Sequence, residues 1–162
     1  MSLQRLLQTL IDVETRLSEL YAWFAEAYAE DGEAAALFYR MARDEKAHAA
    51  LIGYEKRLLN KEKDAALAIP LTEGEARAFL ARIEKVLSAR QAPPLQEALA
   101  IALELEESGA ENHLQGVASE KAPGLVKLLQ NLGKEDRRHY QNLAALAQRR
   151  GIPLPPGRKG SP

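Results

Sequence analysis

Met41-Ala42-Arg43-Asp44-Glu45-Lys46-Ala47-His48 is the stretch on which the fold turns. It lies in a segment whose apolar residues, Phe38, Met41, Ala42, Ala49 and Ile52, fall on one side of a helix. Glu45 sits within that apolar stripe, and His48 lies one turn on, toward its edge. An acid three residues before a histidine is how four-helix bundles hold metal between their helices. Such a site needs a second acid-x-x-His step and one further acid from each of the two remaining helices. Asp136-Arg137-Arg138-His139 is the second step, so two of the three histidines in the chain are accounted for.

Working outward, the sequence predicts five helices. The first runs from about Leu3 to Ala29, with Leu3, Leu6, Leu10, Leu17, Tyr21, Phe24 and Tyr28 as its buried stripe. Glu30-Asp31-Gly32 breaks it, and the second runs from about Glu33 to Leu59. Thr72 with Glu75 reads as a capping box for a third helix carrying Phe79, Leu80, Ile83 and Leu87. After Pro93-Pro94, a fourth runs from about Leu95 to Ala118. The fifth begins near Pro123, a good first-turn residue, and runs to about Arg150, where Gly151 stops it. Residues 1–150 therefore read as one helical domain, and 151–162, rich in proline, as a disordered tail.

The long helices form two hairpins that look like copies. The interval from Glu14 to Glu45 nearly equals that from Glu106 to Asp136, and each second acid is followed three residues later by histidine. Tyr21 follows Glu14 by the same step as His113 follows Glu106. Phe38 precedes His48 as Leu129 precedes His139. A duplicated hairpin explains all four matches. The segment from about 61 to 94, with the third helix on it, then becomes a crossover that is either a lid on the bundle or an oligomer contact.

Helical phase places Glu14 beside Leu10 and Leu17, and Glu106 in the stripe of Leu99, Ala102, Ala110 and Val117, with Glu107 on the border as its substitute. Asp136 falls about 20° from Leu125, whereas Glu135 falls about 80° away. Glu14, Glu45, His48, Glu106, Asp136 and His139 thus project into the core at one level. Unpaired buried carboxylates cost several kcal/mol each. No lysine or arginine shares these inward positions, so two divalent cations are the natural neutralising charge. Two histidines among carboxylates suit iron or manganese better than magnesium or calcium.

Composition narrows the alternatives. A chain of 162 residues without cysteine has no disulfide, thiolate site or cysteine nucleophile. A net charge of −1 argues against a nucleic-acid surface. No apolar run approaches a membrane span or a signal peptide, so the expected setting is the cytoplasm, with no membrane partner.

These residues resemble the ferritin-like di-iron carboxylate superfamily, and most closely its rubrerythrin-like branch. The resemblance rests on Glu14 with Tyr21, Phe38 through His48, Ala102 through Glu106, and Asp136 through His139. It implies an all-α, ferritin-like four-helix bundle of two hairpins with an extra helix in the crossover. It also implies two metal ions, iron or manganese, reacting with peroxide or dioxygen and supplied by an external electron donor. Within that pattern Glu45, Asp136 and the histidines are expected as end-on ligands, Glu14 and Glu106 as bridging or chelating ones, and Tyr21 as a neighbour of the site. By analogy with other bundles a homodimer is an expected assembly. The chain departs from the pattern at Asp136, normally Glu, at His113, where Tyr is common, and at Gly109, where the family has an extra glutamate. It carries no cysteines for a rubredoxin-like iron centre. The rival readings are a metal-binding or iron-handling protein without turnover, and a degenerate bundle serving as an interaction module.

Overall fold

The computed structural model describes residues 3–59, 73–114 and 123–153, without the side chains of 73 and 110–114. Among these are five α-helices and no strand: α1 (Leu3–Ala27), α2 (Gly32–Leu59), α3 (Glu73–Leu87), α4 (Leu95–Leu114) and α5 (Pro123–Arg149). The boundaries agree with the sequence expectation to within one or two residues at most ends. The capping box at Thr72, the end of α4 near Ala118, the His113 side chain and the tail beyond 153 lie outside the described residues. No described helix is long and apolar enough to cross a membrane.

Local signals explain the helix ends. Asp31 caps α2, its Oδ1 accepting the Ala34 amide at 3.2 Å. The α5 terminus closes on Gly151, whose φ of 64 suits a residue without Cβ. The Ile152 amide reaches the Ala147 carbonyl at 2.9 Å and the Gly151 amide the Gln148 carbonyl at 3.1 Å, a Schellman closure. Arg150 then grips the Asp31 carboxylate with two hydrogen bonds of 2.8 Å, tying the end of α5 to the start of α2.

Helix α1 packs on α2 and α4 on α5, with α2 also meeting α5 and α3 lying on α1. The buried apolar residues fall into two clusters. One holds Leu17, Leu20, Tyr21, Phe24, Phe38, Met41, Leu99, Leu103, Leu143 and Leu146. The other holds Leu6, Leu7, Leu10, Ile52, Leu125, Leu129 and Leu132. Along α1 and α5 the chain passes from the second cluster to the first, and along α2 in the reverse sense. Two hairpins in this arrangement need a long crossover between α2 and α4, and α3 rides on it. Ala76, Phe79 and Ile83 are its buried face.

Candidate metal centre

A layer of polar side chains separates the two apolar clusters. Glu14, Glu45, His48, Glu106, Asp136 and His139 are all buried, none more than 4% exposed. Each is carried there by helical phase: Glu14 lies between Leu10 and Leu17 on α1, Glu45 between Met41 and Ile52 on α2, and Asp136 between Leu132 and Leu143 on α5. All six residues singled out in the sequence therefore meet in one layer. Glu106 is the inward acid of α4, while Glu107 is half-buried and belongs to neither group below.

Ligand-type atoms gather in two groups, each with its members within 4.8 Å of one another: Glu14, Glu45 and His48, and Glu45, Glu106, Asp136 and His139. Glu45 belongs to both. Its Oε2 lies 2.8 Å from His48 Nδ1, and its Oε1 lies 3.0 Å from His139 Nδ1. Glu14 Oε2 is 3.7 Å from His48 Nδ1, and Glu106 Oε2 is 3.4 Å from His139 Nδ1. The imidazoles stack with centroids 6.2 Å apart. Although 3.0 Å apart, Glu45 Oε1 and His139 Nδ1 are buried without a hydrogen bond. Two buried atoms of ligand type facing each other in this way suit a cation between them, so the residues fit a metal pair. The sequence-based expectation made Glu45 an end-on group. In the structure its two oxygens face different histidines, because α2 runs between α1 and α5.

Tyr21 reaches the layer from α1, its hydroxyl donating to Glu106 Oε1 at 2.5 Å. That bond leaves Glu106 Oε2 as the oxygen nearer His139.

Charge follows from burial. Burial alone would lower the His48 pKa, but hydrogen bonds and charge from Glu14 and Glu45 outweigh it and push the imidazole up to about 12. His139 is likewise pushed up to about 11 by Glu106 and Glu45 against the cost of burial. Burial also opposes ionisation of Glu45, but His139 and His48 hold it below the usual carboxylate range. Burial raises Glu106 to about 7; His139 opposes that rise, and Glu45 and Asp136 add to it. Without metal, protons on the two imidazoles supply positive charge beside the buried carboxylates.

Two further residues reach the histidines, Glu135, which helical phase sets aside in favour of Asp136, and Asp44, which the sequence does not single out. Glu135 Oε2 lies 2.5 Å from His48 Nε2, and Asp44 Oδ2 lies 3.1 Å from His139 Nε2. Each helix thus supplies a carboxylate to the histidine of the other, on the ring nitrogen that faces away from the layer. Carboxylates in this position fix the ring's tautomer and direction. Both are about two-fifths exposed, so their charge is solvated on one side. The signal was present: each immediately precedes the acid of its acid-x-x-His step, as Asp44-Glu45 and Glu135-Asp136.

No curated protein and no solved structure matches the chain. The family model described as Rubrerythrin matches residues 6–147, which span the two hairpins, the crossover helix and the whole buried carboxylate–histidine layer, and the chain belongs to that family.

Proposed function

We propose that this protein is a non-haem dinuclear oxidoreductase domain that uses two iron ions, or two manganese ions, to react with peroxide or dioxygen at the expense of an external electron donor. The observation that carries the reading is Glu45, buried between two histidines with one carboxylate oxygen toward each. In this reading Glu45 would be common to both ions, Glu14 and His48 would hold one, and Glu106, Asp136 and His139 the other. Bound ions would supply Lewis acidity and redox capacity there.

The protein's own residues do the rest. Glu135 and Asp44 hold the outer ring nitrogens and keep both Nδ1 atoms aimed at the layer. Tyr21 keeps its proton, because burial and the neighbouring Glu106 raise its pKa well above the usual value, and it fixes the rotamer of Glu106. Apolar residues on both sides exclude bulk water.

Protein purified without chelator, or reconstituted with iron or manganese, is expected to hold about two ions per chain by elemental analysis. It should then consume peroxide repeatedly when a reductant is present. Binding of no metal after reconstitution would refute the reading; a single stoichiometric reaction would reduce it to metal binding alone.

A further inference from the structure

On the α2–α5 face of the bundle a single side chain stands between solvent and each imidazole of the buried layer. Glu135 meets His48 Nε2 at 2.5 Å and Asp44 meets His139 Nε2 at 3.1 Å, and each carboxylate is about two-fifths exposed. At about 100° per residue, Arg40 and Arg43 fall about 40° and 100° from Asp44, on the side away from Glu45. Arg138 and Lys134 fall about 60° and 100° from Glu135, on the side away from Asp136. All four are exposed. They ring the place where the two carboxylates reach the surface.

Among the described residues none of these four cations has an ion-pair partner, unlike Arg16, Arg82, Arg149 and Arg150. The acids of the face are otherwise engaged. Asp44 and Glu135 turn to the histidines, and Glu55 lies against Gly124 at the start of α5. A chain with a net charge of −1 thus keeps a local excess of unpaired positive charge here. Beside it on α2 are Leu51 and Tyr54, 49% and 53% exposed. Exposed leucine and tyrosine edged by arginine make a protein-docking surface rather than a small-molecule pocket.

We propose that this face receives the external electron donor, and that the donor is a small acidic electron-carrier protein. This rests on the dinuclear reading above and adds the partner and its docking surface. Electron transfer weakens steeply with distance, so a carrier must come to rest where little protein lies between it and the ligands. Over Asp44 and Glu135 only one side chain intervenes before each histidine. Opposite charge draws an acidic carrier to the four cations from a distance and orients it, and Leu51 with Tyr54 gives it a dry contact. Each encounter moves one electron: the carrier is oxidised, the dinuclear site is reduced, and no bond forms or breaks. Two encounters supply the two electrons that one peroxide takes up.

Binding and electron transfer are tested separately, with a plant-type ferredoxin as the acidic probe and cytochrome c as a basic carrier. Calorimetry at low salt should show the ferredoxin binding the protein, with or without metal, and cytochrome c not binding. Arg40→Glu with Arg43→Glu and Arg138→Glu should weaken ferredoxin binding by about tenfold or more, and raising salt from about 10 mM to about 0.5 M should do the same. In metal-loaded protein the triple variant should slow reduction by the ferredoxin about tenfold or more, while a small uncharged hydroquinone reduces it at an unchanged rate and metal content is unaltered. Arg40→Gln with Arg43→Gln is the milder variant should the reversal fold poorly. No ferredoxin binding, equal binding of cytochrome c, or binding unmoved by either variant would overturn the docking surface. A dimer that Leu51→Glu dissolves would give the face to a second copy of the chain and overturn it as well. Failure to bind metal would refute the dinuclear reading instead, and ferredoxin binding to the metal-free protein would then decide the surface by itself.

Discussion

Glu135 and Asp44 act at the residue scale by turning two imidazoles toward a buried layer. Replacing them with Gln and Asn keeps their shape but removes their charge. Glu135→Gln with Asp44→Asn is expected to weaken metal binding by about 10–100-fold while leaving the apo fold intact, as competition with a chelator would measure. Titration gives a second expectation. Both histidines have pKa values raised above the ordinary 6.5. Their contribution to stability is complete below that value and is lost as pH rises toward 11 to 12. Glu45 is shifted the opposite way, so its contribution is complete above the ordinary 4.5 and lost in stronger acid. Glu106, raised to about 7, favours the lower side of neutrality as well. Metal-free protein should therefore be most stable near pH 5–6 in urea melts, and loading with metal at pH 7 should release protons to a dilute buffer. An apo protein that gains stability steadily from pH 6 to 9 would contradict this.

At the scale of elements, the α1–α2 hairpin is held by an aromatic group just above the metal layer. Phe38 of α2 meets Tyr21 and Phe24 of α1 and Tyr28 in the turn just after it, with ring centroids 6.1, 5.2 and 6.0 Å away. Phe38 is fully buried, so Phe38→Ala removes a large apolar volume with little chance of collapse. A loss of about 3–5 kcal/mol in denaturant unfolding is expected. Tyr21 would lose the ring that stacks on it, so the variant should also bind metal less tightly. The Arg150–Asp31 pair at the C-terminal end of α5 is partly exposed, and its removal should matter far less. Helix existence was legible because three- and four-residue apolar spacing recurs in every segment. The Asp31 cap was not singled out, since Glu30-Asp31-Gly32 reads equally as a simple break.

For the whole molecule, the buried carboxylate–histidine layer lies between two apolar clusters and takes a side chain from each of four helices. Anything that binds it ties both hairpins together. Saturating metal at about a hundred times its dissociation constant should add about 2.7 kcal/mol of stability. Calorimetry should show a higher Tm for loaded protein, a fall on chelation, and no metal-dependent rise in the double variant Glu45→Ala with His48→Ala. A metal-dependent rise that survives the double variant would place the binding elsewhere.

The sequence by itself determined the all-α bundle, its two hairpins and the six polar residues of the buried layer. Each of these depends on the phase of one helix against its own apolar stripe, and phase is a local property. It could not determine which atom faces which across helices. Glu45, which the family resemblance implies as an end-on group, lies between two histidines, one of them on α5. Glu135, about 80° off the stripe of α5, reads as solvated. Its flexible side chain nevertheless reaches His48 on α2. A small space beneath α3 is likewise set by the approach of Ala76, Phe79, Gly109 and Asp136 from three different helices. Contacts between helices depend on axial register and separation, and these emerge only when the helices pack.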